Sequence, residues 1–204
     1  ALLKQRALAS GVAWRPVRAL KVEREGEAIS ALTLDNGERV EGDVFIDASG
    51  AEARLIGEMP GDAFTSWREW LPADRILAAS GPRLKPLPSF SQISAFRGGW
   101  IGLYPLQDRT AVTAVWEAAA FPEAEMVQGL SALAGIPIEG DAVITPFEAG
   151  VRPRPWIGNC VAIGEAAVTA EPLDAVQIHL VHAFTSHLVS LFPATAGSMP
   201  EATA

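Results

Sequence analysis

One short apolar strand late in the sequence is followed by a glycine, a carboxylate and a predicted helix. The strand at 160–163 ends at Gly164-Glu165-Ala166, and a helix opened by Pro172 is predicted to run to about Pro193. Buried strands that end at glycine and lead into a helix are typical of the ligand edge of nucleotide-binding α/β sheets. Glycine allows a close backbone approach, and a carboxylate accepts hydrogen bonds from ligand hydroxyls. A solvated glutamate at a strand end explains Glu165 equally well, and both interpretations stay open.

A second group of candidate residues lies where the helix is predicted to start. Asp174 can accept a proton and stabilise a developing cation in a reaction. It can equally cap free N–H groups in a first helical turn, where the helix dipole favours negative charge. The backbone amides of Val176 and Gln177 can bind an anion if the helix begins no earlier than about Asp174, because amides inside a helix are already bonded.

Two histidines on this helix are candidate metal ligands. His179 and His182 are one helical turn apart, but a site needs a third ligand nearby and the sequence offers none. Apolar residues at 180, 184, 188 and 191 form a stripe, and the histidines are interpreted as flanking it. No metal site is predicted.

The motifs in this region resemble those of the flavin-dependent tryptophan halogenases and their halogenase-like relatives. The matching stretches are Trp156-Ile-Gly-Asn-Cys-Val-Ala-Ile-Gly164 and Glu171-Pro-Leu-Asp174. The resemblance covers nearly the whole sequence but only the middle of a family member. The family's dinucleotide glycine motif and catalytic lysine lie upstream of the matching region, so the sequence is interpreted as an internal fragment.

The resemblance implies a role for each candidate residue. Where the family has Ser-Thr-Gly or Ser-Thr-Ser after the catalytic carboxylate, this chain has Ala-Val-Gln at 175–177, which weakens the halide assignment. By resemblance, Gly50, Gly164, Glu165 and Ala166 bind FAD, Asp174 is the catalytic carboxylate, and the amides of Val176 and Gln177 bind chloride or bromide. Without the resemblance, the Asp-Ala-Ser-Gly ending at Gly50 is an ordinary strand-end turn.

A further motif matches the family's Trp-x-Trp-x-Ile-Pro, which lies beside the flavin and keeps substrate away from it. Trp100 and Pro105 match, while Gly102 replaces the second tryptophan and Tyr104 replaces the isoleucine. A glycine excludes far less volume than an indole, so we expect an open space at Gly102 unless Tyr104 or another side chain fills it. The residues alone predict an ordinary strand with a glycine bulge.

Three functions follow as alternatives. The first is an FAD-dependent, halogenase-like oxidoreductase that acts on tryptophan, indole or a similar aromatic with reduced FAD, oxygen and halide. The resemblance implies a separate flavin reductase as partner. The second is a flavin-dependent monooxygenase that transfers oxygen directly, which Gly102 favours. The third is a catalytically inactive flavin-binding or structural paralogue, suggested by Asp174 and Ala175.

Composition narrows the class of protein. The formal net charge of −8 argues against nucleic-acid and anionic-membrane partners. A single cysteine excludes an internal disulfide and suits a reducing cytoplasm, which is the predicted location. The sequence shows neither a transmembrane stretch nor a secretion signal. A homodimer is left open.

The predicted fold class is mixed α/β: part of an FAD-binding Rossmann-like fold of the flavoprotein monooxygenase type, with an antiparallel substrate-domain sheet. Residues 1–58 are assigned to the FAD-binding domain, 59–150 to the sheet domain, 151–193 to the returning strand and helix, and 194–204 to a flexible tail. Alternation of apolar residues and turn signals predict the elements. Strands are predicted at 12–22, 28–34, 44–46, 74–79, 91–96, 100–103, 110–116 and 142–151, with helices at 2–8 and 122–133 and a Trp67/Trp70 core stripe at helical spacing in 64–72.

Overall fold

The computed structural model describes residues 2–174, 176–193 and 195 of the 204-residue chain. The predicted tail at 194–204 lies outside these residues apart from Thr195. The helices are α1 (Leu2–Ala9), α2 (Glu123–Ala134) and α3 (Val176–Leu191). The strands are β1 (Ala19–Glu25), β2 (Ala28–Leu34), β3 (Arg39–Val40), β4 (Phe45–Asp47), β5 (Thr65–Ser66), β6 (Arg75–Pro82), β7 (Gln92–Phe96), β8 (Gly99–Pro105), β9 (Arg109–Trp116), β10 (Glu139–Pro146), β11 (Gly150–Val151), β12 (Trp156–Ile157), β13 (Cys160–Ala162) and β14 (Val168–Thr169).

The first sheet is an antiparallel meander in the order β1-β2-β3. Gly26, at φ 63°, turns β1 into β2, and Gly37, at φ 81°, lies in the Asn-Gly turn between β2 and β3. The strand predicted at 12–22 was wrong in its bounds, because β1 begins at Ala19 and residues 12–18 form no regular element. β1 pairs antiparallel with β2, whose bounds agree with the strand predicted at 28–34.

The largest sheet has five antiparallel strands in the order β10-β6-β9-β8-β7, which confirms the predicted antiparallel sheet. Alternate residues of β8 and β9 point to one face, where Met126 and Leu130 of α2 complete a buried core. The opposite face carries Trp100, Gly102 and Tyr104 of β8, because side chains two apart share one face of a strand. The sheet therefore presents these three residues away from the α2 core.

Two further predicted elements differ from the structure. Residues 64–72 form the short strand β5 and a turn, not a helix, and Trp70 is 73% exposed, so the predicted core stripe is wrong. The strand predicted at 142–151 is two strands: β10 pairs with β6, and β11 lies between β5 and β14 in another sheet. The intervening 147–149 segment changes the direction of the chain between the two sheets.

The parallel pair β4 and β13 forms the centre of a second core. Ile46 pairs with Val161, and Asp47 with Ala162, so both strands end at the same edge. Buried side chains from β2, β4, the 53–59 segment and β13 pack together here, and Phe184 of α3 packs against them. This edge is where a doubly wound sheet places its ligand.

The long helix starts later than predicted. α3 begins at Val176, and Pro172 lies in the irregular segment before it, so the expectation that Pro172 opens the helix was wrong. Asp174 has φ 52°, a left-handed conformation that a right-handed helix cannot contain. No residue of α3 is fully buried, and no helix in the described ranges is long and apolar enough to cross a membrane.

Candidate functional site

A cavity of about 220 Å³ opens at the common edge of the two parallel strands. Of the residues predicted to bind cofactor, Gly50, Gly164 and Glu165 line it, and Gln177 of the predicted halide site lines it from the start of α3. Ala166 is buried in the core and does not line the cavity. The structure thus brings together residues that the sequence places more than a hundred positions apart.

The two glycines at this cavity have different constraints. Both have positive φ, 77° at Gly50 and 61° at Gly164. A Cβ at Gly164 would lie 2.7 Å from Cγ2 of Val181, so close packing of α3 already requires glycine there. A Cβ at Gly50 would meet only a Glu165 carboxylate oxygen at 3.7 Å, so no protein atom crowds that position. The space over Gly50 is therefore open to a ligand.

Asp47, at the end of β4, has a structural role. Its buried carboxylate accepts hydrogen bonds from the backbone N–H and hydroxyl of Ser49, and from the backbone N–H groups of Leu55 and Ile56 at 2.8 and 2.9 Å. These bonds tie the end of the strand to the following 3-10 turns. Both the strand-end turn and the cavity at Gly50 depend on this carboxylate.

The Trp156 motif is also structural. The Asn159 side chain accepts a hydrogen bond from the Ile29 N–H at 2.7 Å and donates one to the Ile29 carbonyl at 2.9 Å. Gly158 has φ 57°, and a Cβ there would lie 1.9 Å from the Glu27 carbonyl oxygen. The Trp156 indole donates to the Gly158 carbonyl. The motif therefore docks the β12–β13 hairpin onto the meander, a role that its sequence pattern did not reveal.

Trp100 on β8 is bound to the segment before α3. Its indole Nε1 donates a hydrogen bond to Oε2 of Glu171 at 2.8 Å. Further along the segment, the Gln177 side-chain amide donates to the Ala170 carbonyl at 2.9 Å. One side of the 170–177 segment thus binds β8, while Gln177 faces the cavity. Glu171 is the first residue of the Glu-Pro-Leu-Asp motif, and the sequence predicts no role for it.

Tyr104 occupies the space expected to be open at Gly102. A Cβ at Gly102 would lie 2.7, 2.8 and 2.9 Å from Oη, Cε2 and Cζ of Tyr104. The phenol therefore covers the glycine where the related motif has an indole. Pro105 follows at the end of β8 and lines a groove of about 340 Å³ with Tyr104 and residues 88–91.

The Tyr104 hydroxyl is buried and has no hydrogen-bond partner among the described residues. Burial raises the pKa of Tyr104. The backbone N–H of Asp174 opposes this shift without reaching hydrogen-bond geometry, and the Asp174 carboxylate adds to it. The phenol is therefore held neutral and close to Asp174.

Asp174 lies outside the helix on an exposed turn. The Ser91 hydroxyl donates to its Oδ1 over a long 3.5 Å, and its left-handed φ suits Asp or Asn better than other side chains. The structure places the carboxylate beside Tyr104 and Ser91 of the antiparallel sheet region. Asp174 precedes α3, and its left-handed φ of 52° differs from the extended backbone of a typical N-cap residue.

α3 begins late enough in the sequence for the backbone amides of its first turn to bind an anion. The helix begins after Asp174, and the Val176 N–H makes only a long 3.4 Å contact with the Leu173 carbonyl. First-turn amides have no intrahelical acceptor, so these groups can serve an anion. Val176 itself does not line the cavity, whereas Gln177 does.

Other reactive side chains are not at this site. Cys160 is buried, and burial raises the pKa of its thiol to about 12, so it is held as an inert thiol. His179 and His182 are exposed on α3. Within residues 2–174, 176–193 and 195, no group of three His, Cys, Asp or Glu side chains is placed to hold a metal ion.

Comparison with known proteins defines the class. The tryptophan halogenase family model matches residues 1–204, and the chain belongs to this family. It is 28% identical to tryptophan 6-halogenase SttH of Streptomyces toxytricini, over 87% of this chain and 35% of that protein. It is 26% identical to tryptophan 7-halogenase RebH of Lentzea aerocolonigenes, over 86% and 34%.

Solved structures agree with this assignment. The flavin-dependent halogenase BrvH of Brevundimonas sp. BAL3 is 32% identical with a TM-score of 0.86, over 99% of this chain and 43% of that one. The flavin-dependent halogenase Xcc4156 of Xanthomonas campestris is 30% identical with a TM-score of 0.90, over 99% and 42%. The predicted α/β fold, part of an FAD-binding Rossmann-like fold with an antiparallel sheet, is confirmed. The chain spans about a third of the length of the two tryptophan halogenases.

Proposed function

We propose that this chain forms the middle of an FAD-dependent halogenase that modifies tryptophan, indole or a similar aromatic with chloride or bromide. The observation that carries the proposal is the arrangement around residues 170–177. Gln177 faces the cavity lined by Gly50, Gly164 and Glu165, while Asp174 faces β8 and its groove. A halogenase needs a halide and a catalytic carboxylate between its cofactor and its substrate, and this segment carries candidates for both.

The cavity fits part of a flavin. Gly50 leaves an open surface, and the Glu165 carboxylate beside it can accept hydrogen bonds from ribityl hydroxyls. At about 220 Å³ the cavity is too small for a whole dinucleotide, so these residues form one wall of the site. Bound FAD, reduced by a separate reductase and exposed to oxygen, supplies the oxidising power that turns halide into an electrophile.

Asp174 and the start of α3 supply the remaining steps. The amides of Val176 and Gln177 attract the halide, since the positive end of the helix dipole lies there. The Asp174 carboxylate stabilises positive charge on the halogenated aromatic ring and accepts the proton that the ring loses. Its exposed position on a turn leaves it accessible to a substrate.

The geometry of β8 does not favour direct oxygen transfer. The monooxygenase alternative rested on open space at Gly102, and the Tyr104 ring fills that space. The alternative of an inactive paralogue keeps its basis in Ala175, where the family has serine. We therefore place halogenation first.

Several further proposals accompany this function. A flavin reductase as electron donor, a homodimer and a cytoplasmic location stay predictions. Two separate cores, one built around β4 and β13 and the other on the five-stranded sheet, support a division into two domains. The bounds at 58/59 and 150/151 stay predictions, because Met59 packs in the first core and β5 pairs with β11.

The test is turnover by the intact protein with a flavin reductase, NADH, oxygen, bromide and a panel of indoles, with products identified by mass. We expect a brominated product whose yield depends on bromide. Asp108, an exposed turn aspartate, provides the control: Asp108→Asn should retain activity, and Asp174→Asn should lose it. Hydroxylated product without bromination would support the monooxygenase, and no product from the folded, FAD-loaded protein would support the inactive paralogue.

A further inference from the structure

Gly102 and Tyr104 form a matched pair on the face of β8 opposite the α2 core. Gly102 has no positive φ, so its backbone would accept any side chain. The atoms that a Cβ would meet are all at the far end of the Tyr104 ring. The three closest contacts of such a Cβ are therefore all with this ring, and the ring in its present position leaves no room for a side chain at 102. Tyr104 can lie flat on the strand only because position 102 lacks a side chain.

The same ring closes a groove. Tyr104 and Pro105 line a cavity of about 340 Å³ together with Pro88, Ser89, Phe90 and Ser91. Phe90 is 66% exposed and offers an aromatic surface to the groove. The hydroxyl of Ser91, another lining residue, lies 3.5 Å from the Asp174 carboxylate. The groove thus has an exposed aromatic ring in its lining and borders the candidate catalytic carboxylate through Ser91.

Tyr104 separates this groove from the space over Gly102. Tyr104 lines the groove, and its ring atoms Cε2 and Cζ and its Oη lie over the glycine. Across the strand pair, Ile93 lies opposite Gly102 and would border any space that opened there. Without the ring, the groove would extend along β8 over Gly102 towards Trp100. The size of residue 104 therefore sets the depth of the groove.

We propose that Tyr104 is the specificity-determining residue of this groove: its ring, seated on Gly102, limits how large an aromatic substrate can reach Asp174. This inference rests on the proposed function only in taking the groove as the substrate route. It assigns the selection to the volume of the ring, not to the hydroxyl. Position 102 acts through Tyr104, since a side chain there would push the ring into the groove.

The first test measures binding in the intact protein, using indole and the larger 5-phenylindole as probes. Tyr104→Ala should tighten binding of 5-phenylindole relative to indole by about 10-fold, because a ring-sized space is added to the groove. Tyr104→Phe retains the ring and should leave the ratio within 2-fold. Gly102→Ala should change the ratio in the opposite direction. An unchanged ratio in Tyr104→Ala, or no binding of either probe to the wild type, would overturn the inference.

A second measurement separates this inference from the proposed function. If binding shifts as expected but neither wild type nor variants halogenate any probe, the groove assignment stands and the halogenase proposal fails. Urea unfolding supplies a test without ligand. Gly102→Ala should lower the free energy of unfolding of the wild type, and it should lower that of Tyr104→Ala much less, because the clash with the ring is then absent. Additive effects would contradict the matched pair. If Tyr104→Ala does not fold, Tyr104→Leu replaces it in both experiments.

Discussion

The indole of Trp100 donates a hydrogen bond to the carboxylate of Glu171, with 2.8 Å between Nε1 and Oε2. A bond to an ionised acceptor is stronger than one between neutral groups. It connects β8, in the large antiparallel sheet, with the segment that leads to Asp174 and α3. The bond therefore holds the segment that carries the candidate catalytic carboxylate against β8.

Removing the Glu171 carboxylate should weaken both stability and turnover. Glu171→Ala leaves the half-buried indole N–H unpaired, at a cost of about 1–3 kcal/mol in the free energy of unfolding. Glu171→Gln retains an acceptor oxygen and should cost less. Urea unfolding of both variants measures this, with Glu69→Ala, at an exposed glutamate, as the control. Equal stability of Glu171→Ala and the control would show that the bond contributes nothing.

Asp174→Asn tests charge without disturbing the backbone. Asparagine tolerates the left-handed φ of 52° about as well as aspartate, so the free energy of unfolding should change by less than about 1 kcal/mol. Loss of a catalytic carboxylate should lower kcat by roughly 100-fold or more. Asp174→Gly should be equally inactive, yet at least as stable, because glycine adopts this φ without strain. Near-normal turnover in either variant would remove Asp174 from the mechanism.

Much of the sheet could be predicted from local pattern, and the errors have local causes. The alternation of apolar residues in 110–116 identified β9 because one face of that strand is buried against α2. The spacing of Trp67 and Trp70 predicts a shared helical face but not its burial, and Trp70 is exposed. Pro172 was a plausible first residue of a helix, but the left-handed turn at Asp174 stops the helix from including it.

The contacts that define the site could not be predicted because they join distant residues. Trp100 and Glu171 are 71 positions apart, and Asn159 and Ile29 are 130 apart. Single-sequence patterns contain no signal for such pairs. Tyr104 is different, because it lies two positions from Gly102 and shares a strand face with it. The sequence therefore indicates that Tyr104 can fill the space at the glycine. Only the structure shows that the ring lies on the glycine.

Asn159 should matter for folding and little for chemistry. Asn159→Ala removes two hydrogen bonds to the backbone of Ile29 and leaves its N–H and carbonyl without these partners, so we expect a loss of about 2–3 kcal/mol. Asn159→Asp retains the acceptor and loses the donor, and should lie between. Urea unfolding gives both values. Full stability of Asn159→Ala would mean that the hairpin docks without this side chain.

The 204-residue chain alone should bind FAD weakly. Its cavity of about 220 Å³ holds only part of a flavin, and the dinucleotide glycine turn expected from the family resemblance is absent from the sequence. Titration of oxidised FAD, followed by flavin fluorescence, should show no saturation below about 1 μM, a value set by comparison with typical cofactor affinities. Saturable sub-micromolar binding would place most of the cofactor site within this chain.

Stability should fall at alkaline pH through Cys160 and Tyr104. Burial raises the pKa of Cys160 from 9.0 to about 12, and burial also raises the pKa of Tyr104. Between pH 9 and 12 the unfolded chain loses the thiol proton while the folded chain keeps it, so the unfolded state binds fewer protons and the free energy of unfolding decreases as pH rises. Below pH 9 this contribution is fully present.

The measurement is urea unfolding at pH 8 and pH 10.5, comparing wild type with Cys160→Ala. The alanine variant should be less stable at pH 8 because it lacks the packed sulfur, but its stability should fall less by pH 10.5 because one titrating group is gone. Tyr104→Phe should also reduce the decrease in the free energy of unfolding between pH 8 and pH 10.5. It should not lower the stability at pH 8, since the buried hydroxyl has no hydrogen-bond partner among the described residues. Identical slopes in wild type and Cys160→Ala, or rapid reaction of native Cys160 with a thiol reagent at pH 8, would contradict a thiol held protonated by burial.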